Sequence, residues 1–457
     1  MKLSDFEPRD SEGFVSAGEP ENPLYQTDYP PLPSIEDPDA VIATSSVEES
    51  LLPPTPLTPT LPPDDLRSFD HKRRKAVEFD SWVRRNSRWL FPLITVPLFA
   101  LILEQMVSLM LFLDLNKRVY NHVPGECSFV PSIETGAVDV AWMDNRTLVV
   151  STGSDLNNAT NATRGGLLLW RIDGHDSFRL ELRVGDRKKA KGRRVEPLNP
   201  YGISFTFDPK RGGIFAVVNV RVGRAPTDSV ELLQLDGREA KWLKRLRRPV
   251  ESAEFTSLRD VQLLGRGDRF FATNAFRSRR SALQVAEFTS DWWAGGSLLH
   301  FDGQTTRTVL RGLRTPTGLA WDAQRSLLFV SLMAADRIDV YRPRNGDERD
   351  LEKIEEIHVH SAPHFFTLEP GAAAFVVAAH PTKLRHLLFE SSPYGYFAPS
   401  QVLRFRRAKN GHWKATQLYA NDGATISGAT VAVRLPDKRV AIGNAHNGLL
   451  RCGLTST

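Results

Sequence analysis

The sequence predicts an all-β domain, a radial repeat of small sheets such as a propeller with a closed sandwich as the structural alternative, preceded by a disordered tail and one transmembrane helix. Three observations lead there. Short apolar stretches of β-rich composition recur from Val138 to Leu454, one unbroken apolar run lies at Trp89 to Leu113, and the first 70 residues are acidic and rich in proline. A chain of 457 residues exceeds the usual size of one domain, yet one large all-β unit plus a tail accounts for it. A hydrophobic fraction of 41% and a charged fraction of 25% are ordinary for a globular protein.

The net charge of +5 hides an asymmetry, because residues 1–70 carry fifteen acidic and three basic side chains while the rest is basic. The basic clusters Arg187 to Arg194 and Lys241 to Arg248 read as separate loops without interleaved stacking aromatics, which argues against a nucleic-acid partner. Within residues 1–70, YPPLPS (Tyr29 to Ser34) and LLPPTPLTPTLPP (Leu51 to Pro63) favour polyproline II, and so little apolar surface cannot offset chain entropy. Thr55-Pro56 and Thr58-Pro59 have the pattern of proline-directed phosphorylation sites. The tail reads equally as a cytosolic docking segment or a spacer.

A basic juxtamembrane stretch, residues 71–88, leads into the apolar run WLFPLITVPLFALILEQMVSLMLFL, residues 89–113. That run is long enough to cross a hydrocarbon core of roughly 30 Å as a helix. Pro92, Pro97 and the pair Glu104-Gln105 weigh against it, and an interfacial helix is the alternative. A carboxyl group at mid-membrane costs about 2.5–3.5 kcal/mol, which the surrounding Leu, Ile, Phe and Val outweigh. Lys72, Arg73, Arg74, Lys75, Arg84, Arg85 and Arg88 precede the run and only Lys117 and Arg118 closely follow, so the N-terminus is expected in the cytosol. The run lies too far from Met1 for an ordinary cleaved signal, and a retained type II signal anchor is the expectation. Residues 120–457 would then be lumenal or extracellular.

Two features agree with that placement. Asn145, Asn158 and Asn161 begin glycosylation sequons crowded into one region. The only two cysteines, Cys127 and Cys452, bracket the whole domain, where an oxidising compartment would let them close it as a ring. Between them lie strand-like segments such as RTLVVST (Arg146 to Thr152), GIFAVVNV (Gly213 to Val220), RFFATNAF (Arg269 to Phe276), LLFVSLM (Leu327 to Met333), AAFVVAAH (Ala373 to His380) and RVAIGNA (Arg439 to Ala445), separated by Gly, Pro and Asp.

Particular strings then carry a resemblance. ETGAVDVAWM (Glu134 to Met143), NPYGISF (Asn199 to Phe205), VVNV (Val217 to Val220), SLRDVQLLG (Ser257 to Gly265), FFATNAF (Phe270 to Phe276), DRIDVYRP (Asp336 to Pro343) and SGATVAVRLPDKRVAIGNAHNGLLRCGL (Ser427 to Leu454) resemble successive landmarks of the paraoxonase/arylesterase family, in order, over essentially all of Cys127 to Leu454. The resemblance implies a six-bladed propeller whose first and last strands are joined by a disulfide, the role Cys127 and Cys452 match. It also implies hydrolysis of lactones and aryl esters by a calcium ion on the tunnel floor, held by oxygen ligands from different blades, with histidines that activate water.

Residue by residue, this chain departs from that pattern. The family's Glu-Asp pair is Val138-Asp139, its Asn-Asp pair is Arg259-Asp260, its Asn-Gly is Thr317-Gly318, and its later Asp-Asn pair falls on His364-Phe365. The histidines of its NPHG and VVNH strings are Tyr201 and Val220, so no catalytic residue is assigned. Asp139 is the one remnant of a metal ligand set, with Glu369 as a replacement donor if the site were rebuilt. The expectation is that no calcium-type cofactor binds and that Asp139 and Asp260 pair with Arg259 in a buried salt bridge. His380, before Pro381, reads as packed or hydrogen-bonded, and His358, His360 and His364 of HVHSAPH read as surface histidines short of a four-ligand zinc set. No G-x-S-x-G elbow or phosphate loop occurs.

The sequence therefore points to a membrane-anchored, paraoxonase-like propeller that acts by binding, as an assembly factor for membrane proteins. The resemblance allows this, because the family's nematode branch includes type II membrane members that assist ion-channel assembly. The alternative is a calcium-dependent arylesterase or lactonase with a remodelled site, in which Arg259 lowers the Tyr201 pKa enough for acid–base work.

Overall fold

The computed structural model describes residues 63–153, 165–173, 177–183, 198–220, 228–247, 255–265, 268–371 and 373–454. The segment 1–62, with its proline runs, lies outside the described residues, as do Asn158, Asn161 and the cluster Arg187 to Arg194. Asn145 lies exposed in the turn before a strand of the first blade, where its sequon is accessible.

Helix α1 (Pro63–Phe112) takes in the basic stretch as well as the apolar run. Proline is tolerated at its first position, and Lys, Arg, Glu, Leu and Ala are frequent along its later turns. Its portion Phe91–Phe112 is long and apolar enough to cross a membrane, with none of that stretch buried against protein. Pro92 and Pro97 are accommodated within it.

After strand β1 (Cys127–Phe129) come six sheets, each consisting mainly of four antiparallel strands. Blade 1 is β2 (Val140–Trp142), β3 (Thr147–Thr152), β4 (Gly166–Arg171) and β5 (Ser177–Arg179). Blade 2 begins with its outermost strand β6 (Glu181–Arg183), then β7 (Pro200–Asp208), β8 (Gly212–Asn219), β9 (Ser229–Asp236) and β10 (Glu239–Leu246). Blade 3 is β11 (Leu258–Leu263), β12 (Phe270–Asn274), β13 (Gly296–Phe301) and β14 (Thr306–Leu313), with helix α2 (Ser281–Thr289) between its second and third strands. Blade 4 is β15 (Pro316–Asp322), β16 (Leu327–Leu332), β17 (Arg337–Arg344) and β18 (Asp347–His358). Blade 5 is β19 (Ala362–Leu368), β20 (Ala374–His380), β21 (Ser400–Arg407) and β22 (Trp413–Asn421), with helix α3 (Lys383–Ser391) between β20 and β21. Blade 6 is β23 (Val431–Arg434), β24 (Arg439–Gly443) and β25 (Leu450–Gly453), completed by β1 from the start of the domain.

That completion closes the ring. Cys127 sits directly opposite Cys452 in the β1–β25 ladder, and the two form a disulfide across a sequence separation of 325 residues. One basic cluster departs from its sequence reading: Lys241 to Leu246 form strand β10 rather than a loop. Its charges are used locally, Lys241 against Asp236 and Arg245 against the buried Glu231 at 2.7 Å.

Neighbouring blades share apolar seams. Along β16, Leu328 and Val330 face blade 3 with Phe271 and Leu298, while Phe329 faces blade 5 with Phe375 and Phe405. This is the two-residue alternation of a strand buried on both faces. Around the tunnel, polar groups of the inner strands stitch one blade to the next. Ser151 donates to Tyr201 O at 2.9 Å, Thr273 to Thr317 O at 2.7 Å, Ser331 to His364 O at 2.7 Å and Thr430 to Val138 O at 2.6 Å. Glycines permit this approach: a Cβ at Gly202 would lie 2.5 Å from Asp260 Cα, and one at Gly443 only 2.1 Å from Ala137 O.

Past Phe112 the chain is clasped to the propeller. Phe112 packs edge-on against Phe288 of α2 at 5.7 Å, beneath Arg314 and Lys383. Asp114 and Lys383 form a buried ion pair at 2.8 Å, which Asp336 joins at 2.6 Å and Lys117 at 2.6 Å from the other carboxylate oxygen. Leu384 N–H donates to Leu113 O at 3.2 Å.

Candidate functional site

The inner strands bring Asp139 from just before β2, Tyr201 from β7, Arg259 and Asp260 from β11, Thr317 from β15 and His364 from β19 to the tunnel. Asp139 and Asp260 play the same part in different blades. Asp139 accepts from its neighbour Val140 at 2.8 Å and from Ile203 of blade 2 at 2.8 Å. Asp260 accepts from Val261 at 2.7 Å and from Leu319 of blade 4 at 2.7 Å. Each carboxylate spends both oxygens on backbone N–H groups and staples two blades.

The predicted salt bridge of both aspartates with Arg259 is not formed. Arg259 turns to Tyr201, donating to its hydroxyl at 3.0 Å with the guanidinium carbon 5.2 Å from the ring centre. The physical reason is competition: the carboxylates sit in line with inward-pointing amides of the adjacent strands, and the phenol offers the guanidinium both an acceptor and a π face.

Burial governs protonation here. It pushes Asp139 up to about 7, against the lowering effect of its two backbone donors. Asp260 rises well above the carboxylate range, first through burial and then through the charge of Asp139. Tyr201 is pushed up to about 12, because burial outweighs the lowering by Arg259, and Glu390 of α3 adds to the rise. The remodelled-esterase alternative needed Arg259 to lower the Tyr201 phenol, and the net direction here is upward.

The remaining predicted positions are structural. Val138 is fully buried in the core, Val220 packs against the same cluster, and Thr317 Oγ1 lies 2.8 Å from Ser331 Oγ, to which it donates while Ser331 donates onward to His364 O. Glu369 is a bidentate partner of Arg404, both contacts at 2.7 Å, and is not a tunnel ligand.

The histidines regroup. His358 and His360 stack together at 6.0 Å, but His364 turns inward and is buried, with Nδ1 3.0 Å from Thr430 O. Its neighbours there are His380, edge-on at 5.7 Å, and His386 of α3, whose ring stacks face to face on His380 at 3.7 Å. Both ring nitrogens of His380 and Nδ1 of His386 lack a hydrogen-bond partner among the described residues. Desolvation holds all three imidazoles neutral, with His386 lowered to about 3. Sequence reasoning missed His386 because it lies on a short helix outside any recognisable string. Among the described residues no three His, Cys, Asp or Glu side chains are arranged to hold a metal ion. Face-to-face imidazoles direct their lone pairs away from one another.

The class this defines is a six-bladed propeller, closed by its first strand, with polar side chains on the innermost strands of its blades. The chain belongs to the arylesterase family, whose model matches residues 99–454. It is similar to mechanosensory abnormality protein 6 of Caenorhabditis elegans, 28% identical over 77% of this chain and 92% of that protein. It is also similar to serum paraoxonase/lactonase 3 of Mus musculus, at 23% over 78% and 96%, and to serum paraoxonase/arylesterase 2 of Bos taurus, at 22% over 72% and 88%.

Proposed function

We propose that this is a membrane-anchored paraoxonase-family propeller that works by binding, as an assembly factor for membrane proteins, and not by calcium-dependent ester hydrolysis. The observation that carries the reading is the use of Asp139 and Asp260. Calcium needs about six to eight oxygen ligands. Here the two tunnel carboxylates already accept backbone hydrogen bonds with every oxygen, the neighbouring inner-strand positions Val138, Thr317 and His364 add no carboxylate, and Arg259 brings a cation among them. The residues present do not fit the ion. The identity to mechanosensory abnormality protein 6, whose name states no hydrolase activity, is 28%, against 23% and 22% for the two serum paraoxonases compared.

The anchor in this reading is Phe91–Phe112, with the basic residues before it in the cytosol and the propeller lumenal or extracellular. The test is hydrolysis of phenyl acetate and of a γ-lactone by the full chain in detergent, with and without EDTA. We expect turnover at background level in both conditions. An ester or lactone hydrolysis that EDTA abolishes would restore the arylesterase reading.

A further inference from the structure

A groove of about 550 Å³ lies between blades 5 and 6, where Arg404, Arg406, Lys414, Arg434 and Lys438 converge. Among the described residues one carboxylate answers them: Glu369 holds Arg404 at 2.7 Å and lies 3.9 Å from Arg434. Arg406, Lys414 and Lys438 are exposed and have no ion-pair partner among the described residues. Arg406 and Lys414 are direct cross-strand partners in the β21–β22 ladder. Like charges placed opposite one another on a sheet repel, so the fold tolerates an arrangement that an anion would relieve.

The groove's position narrows the anion. Strands within each blade alternate in direction, so α2 and α3, both between second and third strands, share one rim of the propeller. The end of the apolar helix packs on that rim through Phe112 and Asp114. Lys438 lies in the hairpin between β23 and β24, and Arg406 and Lys414 flank the hairpin between β21 and β22, which places all three at the opposite rim. Eight residues of β21 span roughly 27 Å, more than three Debye lengths at physiological salt, so the headgroups around the anchor do not supply the counter-charge. Among the described residues the lining has no Phe, Tyr or Trp side chain, and its apolar part is Pro124, Leu418 and Leu454. A protein interface would draw on buried aromatic anchors, and single-stranded nucleic acid on stacking platforms.

We propose that this groove binds a sulfated polysaccharide, with Arg406, Lys414 and Lys438 contacting successive sulfates by charge alone. The surface is distinct from the tunnel, and its chemistry does not depend on the hydrolytic silence proposed above. The assay uses the full chain in nanodiscs of zwitterionic lipid and heparin as the probe, with affinity measured across a salt series. Wild-type protein should bind, and R406Q/K414Q/K438Q should lose at least tenfold in affinity and reduce the slope of log affinity against log salt by about three. K414E, which sets a carboxylate opposite Arg406, should also weaken binding while leaving the melting temperature unchanged or higher. Polyglutamate of equal charge should bind at least tenfold more weakly than heparin. Absence of wild-type binding, equal binding by the triple variant, or equal binding of polyglutamate, which would assign the groove to acidic polypeptides, would each overturn the proposal.

Discussion

Replacing His386 by Gln should make the propeller less sensitive to acid. His386 is buried and stacked on His380, and desolvation lowers it to about 3. The unfolded chain's histidine titrates near 6.5. Above that value both states are neutral and His386 costs nothing. As pH falls through 6.5 the unfolded state takes up a proton that the folded state refuses, so stability is lost continuously down to the folded value. Between pH 7.5 and 5.0 the loss is about 1.36 kcal/mol per unit over one and a half units, or about 2 kcal/mol. Asp139 acts in the opposite sense, because its folded value near 7 exceeds the unfolded carboxylate value and acidification relieves its burial cost. The wild-type profile is therefore shallow, and the informative quantity is the difference between variant and wild type. Thermal unfolding of the full chain at the two pH values reads it: the wild-type melting temperature should drop by roughly 3 °C more than that of H386Q. Equal drops would mean that His386 is solvated or charged in the folded state, and the account of the imidazole cluster would be wrong.

Three further perturbations have expected outcomes. Lys383→Met leaves Asp114 and Asp336 without their shared cation, and should destabilise by about 3 kcal/mol, the low end for a broken buried pair because Lys117 still reaches Asp114; thermal unfolding and faster tryptic cleavage near Lys117 would report it. Gly202→Ala drives a Cβ into the backbone of Arg259 and Asp260 at 2.5 Å and should cost about 3 kcal/mol, whereas Gly212→Ala, at φ 79° with open space around it, should cost only about 1 kcal/mol of backbone strain, and denaturant unfolding of the two variants reads the difference. Cys452→Ser opens a ring closed across a sequence separation of 325 and should lower stability by about 6 kcal/mol on the chain-entropy model, an effect that a reducing agent reproduces in the wild type and not in the variant.

Much of this architecture was legible in the residues. Short continuous apolar stretches such as LLFVSL became strands buried on both faces, and the bracketing cysteines became the ring closure, because both features arise from local pattern and placement. The substitutions Val138, Tyr201, Val220, Arg259 and Thr317 could be read one by one against the family strings, and each lies in or beside a strand of the propeller. What could not be read is where side chains point once strands are staggered. Whether Asp260 meets Arg259, its own neighbour, or the amide of Leu319 depends on how β11 and β15 slide past each other, which no composition records. His386 and the clasp from Asp114 to Lys383 join residues that only the ring brings together, the latter across 269 positions. The helix that carries both His386 and Lys383, α3, is short and interrupts a strand pattern.

The central claim is that the tunnel carboxylates serve the fold and do not hold a metal. Calcium titration of the full chain by calorimetry, paired with melting curves in calcium and in EDTA, tests it most directly. The account predicts no binding heat and coincident melting curves. Binding tighter than about 10⁻⁴ M with a clear rise in melting temperature would contradict it, because a ligand held only by the native state must stabilise that state.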